Sequence, residues 1–295
     1  MHLQLEDCKI LLGRMAAEGV SRRSDVRSLR DAEFKVFSQF GDDGIIQHLV
    51  WRAGIASDER SFVEFGVEDY KESNTRFLLM NDSWRGLVMD GDDRKVASIR
   101  RSEYYWRHTL SAIPAFVDRD NINGLLVENG FTGEVGLLSV DLDGNDYWVL
   151  EAIQALRPII LVVEYNASFG ARRAVTIPYD PLFVRSKAHY SNLYWGASLP
   201  AMVSLASRRG YAFVGTNSAG NNAYFVIRAR LNGLRELSAE EGYTRASFRE
   251  SRDQRGRLTY LGLRQRLLLI ADMSLWDLEA GRTINVGALL EDSSP

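Results

Sequence analysis

The stretch SFVEFGVEDYKESNTRFLL, residues 61–79, decides how this chain folds. An apolar run of strand length breaks at Gly66, passes through Glu68, Asp69 and Glu72, and continues as a helix-like pattern. A strand feeding a helix through a glycine turn is the unit of a parallel sheet, and such turns often cradle a phosphate. Here the turn reads Gly66-Val67-Glu68-Asp69-Tyr70-Lys71, with one glycine where a dinucleotide fingerprint needs G-x-G-x-x-G. A carboxylate at Glu68 repels a pyrophosphate by on the order of 1 kcal/mol per unit pair in water, and by more where partly buried. The turn therefore disfavours NAD and ATP and suits a cationic, phosphate-free ligand.

Outward from this stretch, short apolar runs predict strands at 61–66, 86–91, 107–113, 135–142 and 158–166. Helix-like segments fall between them, near 73–82, 93–102, 119–129 and 145–156. That alternation predicts an α/β, Rossmann-like, doubly wound sheet, mostly parallel and covered on both faces. An irregular, aromatic-rich stretch follows the fifth strand, and loops of that length are usually binding segments or lids. A helix is expected at 197–210, and then YAFVG and NAYFVIR flank the turn-rich TNSAGNN, which predicts an antiparallel C-terminal hairpin. The expected organisation is a helical N-terminal extension or lid at 1–60, a core domain at 61–230 and a C-terminal extension at 231–295, charged, partly helical and packed on the core. Leu3, Leu5, Ile10, Leu11 and Met15 suit one helix of the first region, and Ile45, Ile46, Leu49, Val50 and Trp51 another.

Five strands alternating with helices, then a helix, then a hairpin resembles the class I S-adenosylmethionine (SAM) dependent methyltransferase family over roughly residues 60–230. The SQFGDDG, VEFGVED, DLDGND, VEYNASFG and TNSAGNN segments are also similar to a bacterial methyltransferase-like group, which extends the resemblance over most of the chain. The resemblance implies SAM as cofactor, with Glu64 and Gly66 against its methionine and ribose portions and SQFGDDG, including Gln39, as part of a lid. Helix capping is an equal reading of Gln39, Phe40 and Asp42. Asp90 and Gly91 close the second strand, 26 positions after Glu64 in the case of Asp90, near the ~20-residue offset of ribose-binding acids in related folds. Asn74 either caps the next helix or reaches the cofactor. The rival reading makes Glu64 and Asp90 solvent-facing turn acids and Gly66 a tight bend.

A second acidic cluster comes from SVDLDGNDYW and VVEYNASFG, which bring Asp141, Asp143, Glu164 and Asn166 to one sheet edge. Oxygen ligands without His or Cys suit Mg²⁺ or another hard cation, and Asp141, Glu164 and Asn166 are the candidate metal set. The pattern resembles metal-dependent sugar and catechol O-methyltransferases, except that Tyr165 or Asn166 stands where those enzymes place a second acid. Without a metal, Asp141 or Asp143 is a candidate general base, as is His189, whose imidazole titrates near neutral pH. Asp143 in DGND also suits a capping role. Tyr190, Tyr194, Trp195 and Phe169 are candidates for an apolar wall, or for packing on their own domain.

Composition limits the partners. The chain has 295 residues, 45% hydrophobic and 25% charged, with a formal net charge of -3 and no long basic run, which argues against a nucleic-acid binder. Cys8 is the sole cysteine, so no internal disulfide or thiolate metal cluster forms, and a reducing cytoplasm fits. No apolar run approaches the ~18 residues that span a bilayer. The expected function is SAM-dependent O-methylation of a small polar acceptor such as a sugar or secondary metabolite. The alternatives are a SAM-binding enzyme catalysing elimination or cyclisation, and a non-catalytic subunit that dimerises or binds a protein partner through its helical extensions.

Overall fold

The computed structural model describes residues 2–23 and 25–290; the side chains of residues 1–4, Leu3 among them, and residues 291–295 of the expected C-terminal extension lie outside the described residues. Strands β1 (Ser61–Phe65), β2 (Arg85–Asp90), β3 (Leu110–Pro114), β4 (Gly133–Val140) and β5 (Leu156–Glu164) follow the five expected apolar runs. After the short β6 (Val175–Thr176) come β7 (Tyr211–Thr216) and β8 (Asn222–Ile227). The main sheet has the order β3-β2-β1-β4-β5-β8-β7. All its neighbours pair in parallel except β8, which runs antiparallel to both β5 and β7. Phe62, Val63, Leu87, Val88, Leu137, Leu138, Ile160 and Leu161 are buried between helical layers, each such side chain contributing roughly 1.5–3 kcal/mol.

The chain winds outward from β1 through β2 to β3 and then returns to place β4 on the other side of β1. That reversal makes the carboxyl ends of β1 and β4 the switch point where ligands bind in such sheets. The backbones there nearly touch. Gly66 sits at φ +70°, its N–H donates to the Met89 carbonyl at 2.9 Å, and an added Cβ would lie 1.7 Å from the Asp141 carbonyl oxygen. The glycine of the opening motif serves this close approach.

The N-terminal region is tied to the sheet by buried acids. The helix Asp42–Ala53 follows the FSQFG turn, and Asp43 Oδ2 accepts the backbone N–H of Val36, Phe37 and Ser38 at 2.7–2.8 Å as well as the Ser38 hydroxyl. Asp42 Oδ1 accepts from the Asn217 and Asn222 carboxamides, both at 2.9 Å, and from the Tyr224 hydroxyl. SQFGDDG and TNSAGNN are therefore two halves of one clasp between the N-terminal region and the β7–β8 hairpin. Gln39, expected to touch a cofactor, is exposed, and its backbone carbonyl is held by Lys35 Nζ at 2.8 Å.

The last sixty residues differ from the expectation. They add a hairpin, β9 (Ser274–Asp277) with β10 (Arg282–Asn285), and β9 pairs with β6 to form a second small sheet. Leu267, Ile270, Leu275, Val286 and Leu289 enclose Phe169, Val175, Ile177, Leu193 and Tyr194, so the long loop after β5 is packed into a satellite core.

Replacing Asp43 by Ala strands three buried N–H groups, each costing about 1–3 kcal/mol. Asp43→Ala should lower stability by roughly 3 kcal/mol or more in chemical denaturation; a midpoint equal to that of the parent chain would show that the clasp carries no stability.

Candidate functional site

Glu64 ends up inside the molecule. Its carboxylate accepts from the Ser73 hydroxyl at 2.6 Å, the Asn74 N–H at 2.9 Å, and both the N–H and the hydroxyl of Thr75. These bonds hold 73–75 outside the helix, which begins at Arg76 rather than at the expected 73. Burial pushes the Glu64 carboxyl up while the hydrogen bonds from Ser73, Asn74 and Thr75 oppose the shift. Glu64 therefore builds the loop at the switch point, with its oxygens engaged by that loop. Asn74 is fixed similarly, its carboxamide donating to the Ser139 hydroxyl at 3.1 Å.

Asp90 is half-buried at the tip of β2. Each carboxylate oxygen accepts one backbone N–H, from Glu68 at 2.7 Å and from Asp92 at 2.8 Å. A carboxylate oxygen has two lone pairs, so Asp90 keeps acceptor capacity for a diol. Gly91 is exposed, and an added Cβ would lie 3.3 Å from the Phe116 ring. Phe116 in turn lines a cavity of about 390 Å³ with Leu142, Asp143, Phe183, Arg185 and Asn192. The cavity thus lies beside the loop after β4, and Phe116 on its wall packs near Gly91 at the β2 tip.

In that loop Asp146 accepts the N–H groups of Leu142 at 2.7 Å and Gly144 at 3.0 Å. It takes the turn-fixing role expected of Asp143, and burial pushes its carboxyl up to about 6. Asp143, at φ +54°, is exposed and pairs with Arg185 Nη1 at 2.6 Å. Asp141, Asp143 and Glu164 each bring a carboxylate oxygen within 4.8 Å of the others. The Asp141 and Glu164 carboxyl groups thus lie side by side, where two like charges repel. Burial, followed by the neighbouring acids, holds both well above the usual carboxylate range. The second oxygen of Glu164, Oε2, is buried without a partner.

Asn166 leaves the candidate metal set. Its Oδ1 accepts the Ser168 N–H at 3.0 Å, and its Nδ2 donates to the carbonyls of Leu193 and Trp195 at 3.2 and 3.0 Å. Asn166 is an anchor for the long loop, and Asp143 is the third oxygen donor near Asp141 and Glu164. His189 is engaged elsewhere: its Nδ1 lies 2.7 Å from the Ser191 hydroxyl, its ring is 4.4 Å from that of Tyr190, and burial lowers its pKa. Phe169 and Tyr194 belong to the satellite core, Tyr190 is exposed, and Phe183 supplies the aromatic wall of the cavity.

The residue that the sequence reading missed is Arg185. It stacks on Trp195 at 4.6 Å, its Nε donates to the Asn192 carbonyl at 2.9 Å, and its Nη1 pairs with Asp143. A single arginine in a long loop has no periodic or motif signal; only the fold brings it to the acids.

A carboxyl whose folded pKa is raised gives stability that is complete below its unfolded value and is lost as pH rises toward the folded value. The melting temperature should therefore fall as pH climbs from about 5 to 9. Asp141→Asn should melt higher than the parent at pH 8 and show a flatter profile; an unchanged slope would show that the pair does not titrate in this range.

No protein-family model matches the chain. None of the curated proteins compared matches it. Among solved structures it is similar to an O-methyltransferase from Bacillus cereus in complex with SAH, with a TM-score of 0.41 and 12% identity over 75% of this chain and 91% of that one. It is also similar to the methyltransferase domain of bacterial CtHen1-C, with a TM-score of 0.37 and 14% identity over 62% of this chain and 97% of that one. The N-terminal domain of EvdMO1 with SAH bound gives a TM-score of 0.35 and 10% identity over 73% of this chain and 93% of that one. These likenesses are distant, and the fold is identified by the sheet itself: the order β3-β2-β1-β4-β5-β8-β7, with β8 antiparallel to its neighbours, is that of the class I SAM-dependent methyltransferases.

Proposed function

We propose that this chain transfers a methyl group from SAM to a hydroxyl oxygen of a small polar acceptor. The observation that carries the reading is the Asp141–Asp143–Glu164 carboxylate cluster, with Asp143 on the wall of a 390 Å³ cavity at the carboxyl edge of this sheet. SAM, when bound, supplies an electrophilic methyl on a sulfonium. The donor set fits it: Asp90 has free acceptor capacity for the ribose hydroxyls, and the turn after β1 offers acids rather than a phosphate nest. Asp141 or Glu164, whichever is ionised, receives the acceptor's hydroxyl proton, and a carboxylate with a raised pKa is the stronger base for that step. Arg185 fixes Asp143 and limits the negative charge that the acceptor must approach. Much of the remaining rate enhancement would come from in-line positioning in a cavity closed by the 183–192 loop.

The same oxygens suit a hard divalent cation such as Mg²⁺. Asp141, Asp143 and Glu164 would hold it, with Glu164 Oε2 as the unpartnered ligand atom. A small molecule is the acceptor in this reading, and a cytoplasmic setting is consistent with the lone exposed thiol of Cys8.

Two measurements test it. Asp90→Ala should weaken SAM binding in calorimetry by at least about tenfold, and an unchanged affinity would remove Asp90 from the ribose site. Mg²⁺ titration in buffers of different ionisation enthalpy should show proton release, because the cation must displace protons from carboxyls whose pKa burial raises. Heats independent of buffer, or no binding, would leave the pair as a base without a metal.

A further inference from the structure

A second cavity, of about 600 Å³, lies away from the acidic edge, between the N-terminal region, the helix Asp42–Ala53 and the outer strand β7. Its wall carries Arg27, Arg30 and Arg52, none of which has an ion-pair partner among the described residues. Arg30 Nη2 donates to the Thr244 hydroxyl at 2.9 Å, and Arg52 Nε is buried with no partner. His48 on the same wall is 6% exposed, and its Nδ1 is also buried without a partner. The other charges of the wall cancel: Arg235 pairs with Glu241, and Arg23 with the nearby Asp25. Asp31, close by, spends its carboxylate on the N–H groups of Arg27 and Ser28. Elsewhere Arg22, Arg76, Arg94, Arg107, Arg185 and Arg230 are each matched to a carboxylate. Even with the Asp31 charge nearby, three guanidiniums without an ion pair leave the wall net positive; Arg27 and Arg30 are exposed, and Arg52, half-buried with its Nε unpartnered, is the one whose burial an entering anion would relieve.

We propose that this cavity binds an organic phosphate of small-molecule size. The volume lies within the ~300–1,000 Å³ of small-molecule sites. Guanidinium groups match phosphate oxygens in a bidentate geometry. The Thr216 and Thr244 hydroxyls, 2.7 Å apart, add polar contacts, while Val214 and Leu234 line an apolar part for the organic moiety. The wall also reaches toward the acidic site, since the Tyr165 hydroxyl, on the residue after Glu164, donates to the Thr244 carbonyl at 2.8 Å. The inference does not rest on the methyl-transfer reading.

Inorganic pyrophosphate is the probe, added at constant ionic strength so that general screening is fixed. It should raise the melting temperature of the full chain saturably, with calorimetry giving one site per chain. Arg27→Gln, at an exposed position, and the Arg27→Gln/Arg52→Gln double variant should each weaken that binding by at least about tenfold. Arg107→Gln, which removes an exposed arginine paired with Glu103, should leave it unchanged. A non-saturable response, or undiminished affinity in Arg27→Gln, overturns the proposal, as does equal loss in Arg107→Gln; Arg27→Gln alone decides if the double variant fails to fold.

Discussion

Burying a carboxylate is costly unless donors answer it, and this chain buries Asp42, Asp43, Glu64, Asp146 and Glu164. Four of them are answered by N–H and hydroxyl groups. Asp43 gathers the turn before the helix Asp42–Ala53, Asp42 grips the hairpin tip, Glu64 shapes the loop after β1, and Asp146 shapes the loop after β4. Each bond set fixes a segment at the carboxyl edge, where a parallel sheet presents its ligand site. Glu164 is the exception: what it faces within 4.8 Å are two other acids, Asp141 and Asp143. Four acids build the frame, and the fifth is left inside it with chemistry to do.

This division explains why the turn after β1 is acidic without being a direct ligand cradle. The opening motif places Glu64 where a helix N-terminus needs acceptors and Gly66 where two backbones meet. What lines the cavity comes from the loops after β3, β4 and β5: Phe116, Leu142, Asp143, Phe183 and Arg185, with Asp141 and Glu164 behind Asp143. The long loop after β5 closes this space because a satellite core, built largely from the last thirty residues, holds it in place. The C-terminal region therefore contributes to the site by packing, and also by one charged wall residue, Glu250.

Much of this was legible in the sequence. The strands β1 to β5, β7 and β8 show as apolar runs because a doubly covered sheet buries both faces, and the acids closing β2, β4 and β5 fall at one edge by topology alone. The roles of individual acids were less legible. Whether Glu64 faces a ligand or a helix depends on where Ser73 and Thr75 fall, and whether Asn166 is a ligand depends on the Leu193 and Trp195 carbonyls. Contacts between residues far apart in sequence, such as Asp42 with Asn222 or Asp143 with Arg185, leave no local pattern. The β9–β10 hairpin was hidden because β9 is mostly half-buried, β10 is mostly exposed, and both lie in charged sequence.

The central claim is that burial and the neighbouring acids keep at least one of Asp141 and Glu164 protonated at neutral pH inside the folded chain. Carbon-13 NMR of labelled carboxyl groups, followed from pH 5 to 9 in the parent chain and in Glu164→Gln, tests it directly. The account predicts a protonated carboxyl resonance, assigned to Asp141 or Glu164, that persists at pH 7 in the parent and titrates at lower pH in the variant, where one of the neighbouring acids is gone. Two resonances already at their fully ionised shifts at pH 7, assigned to Asp141 and Glu164, would contradict it.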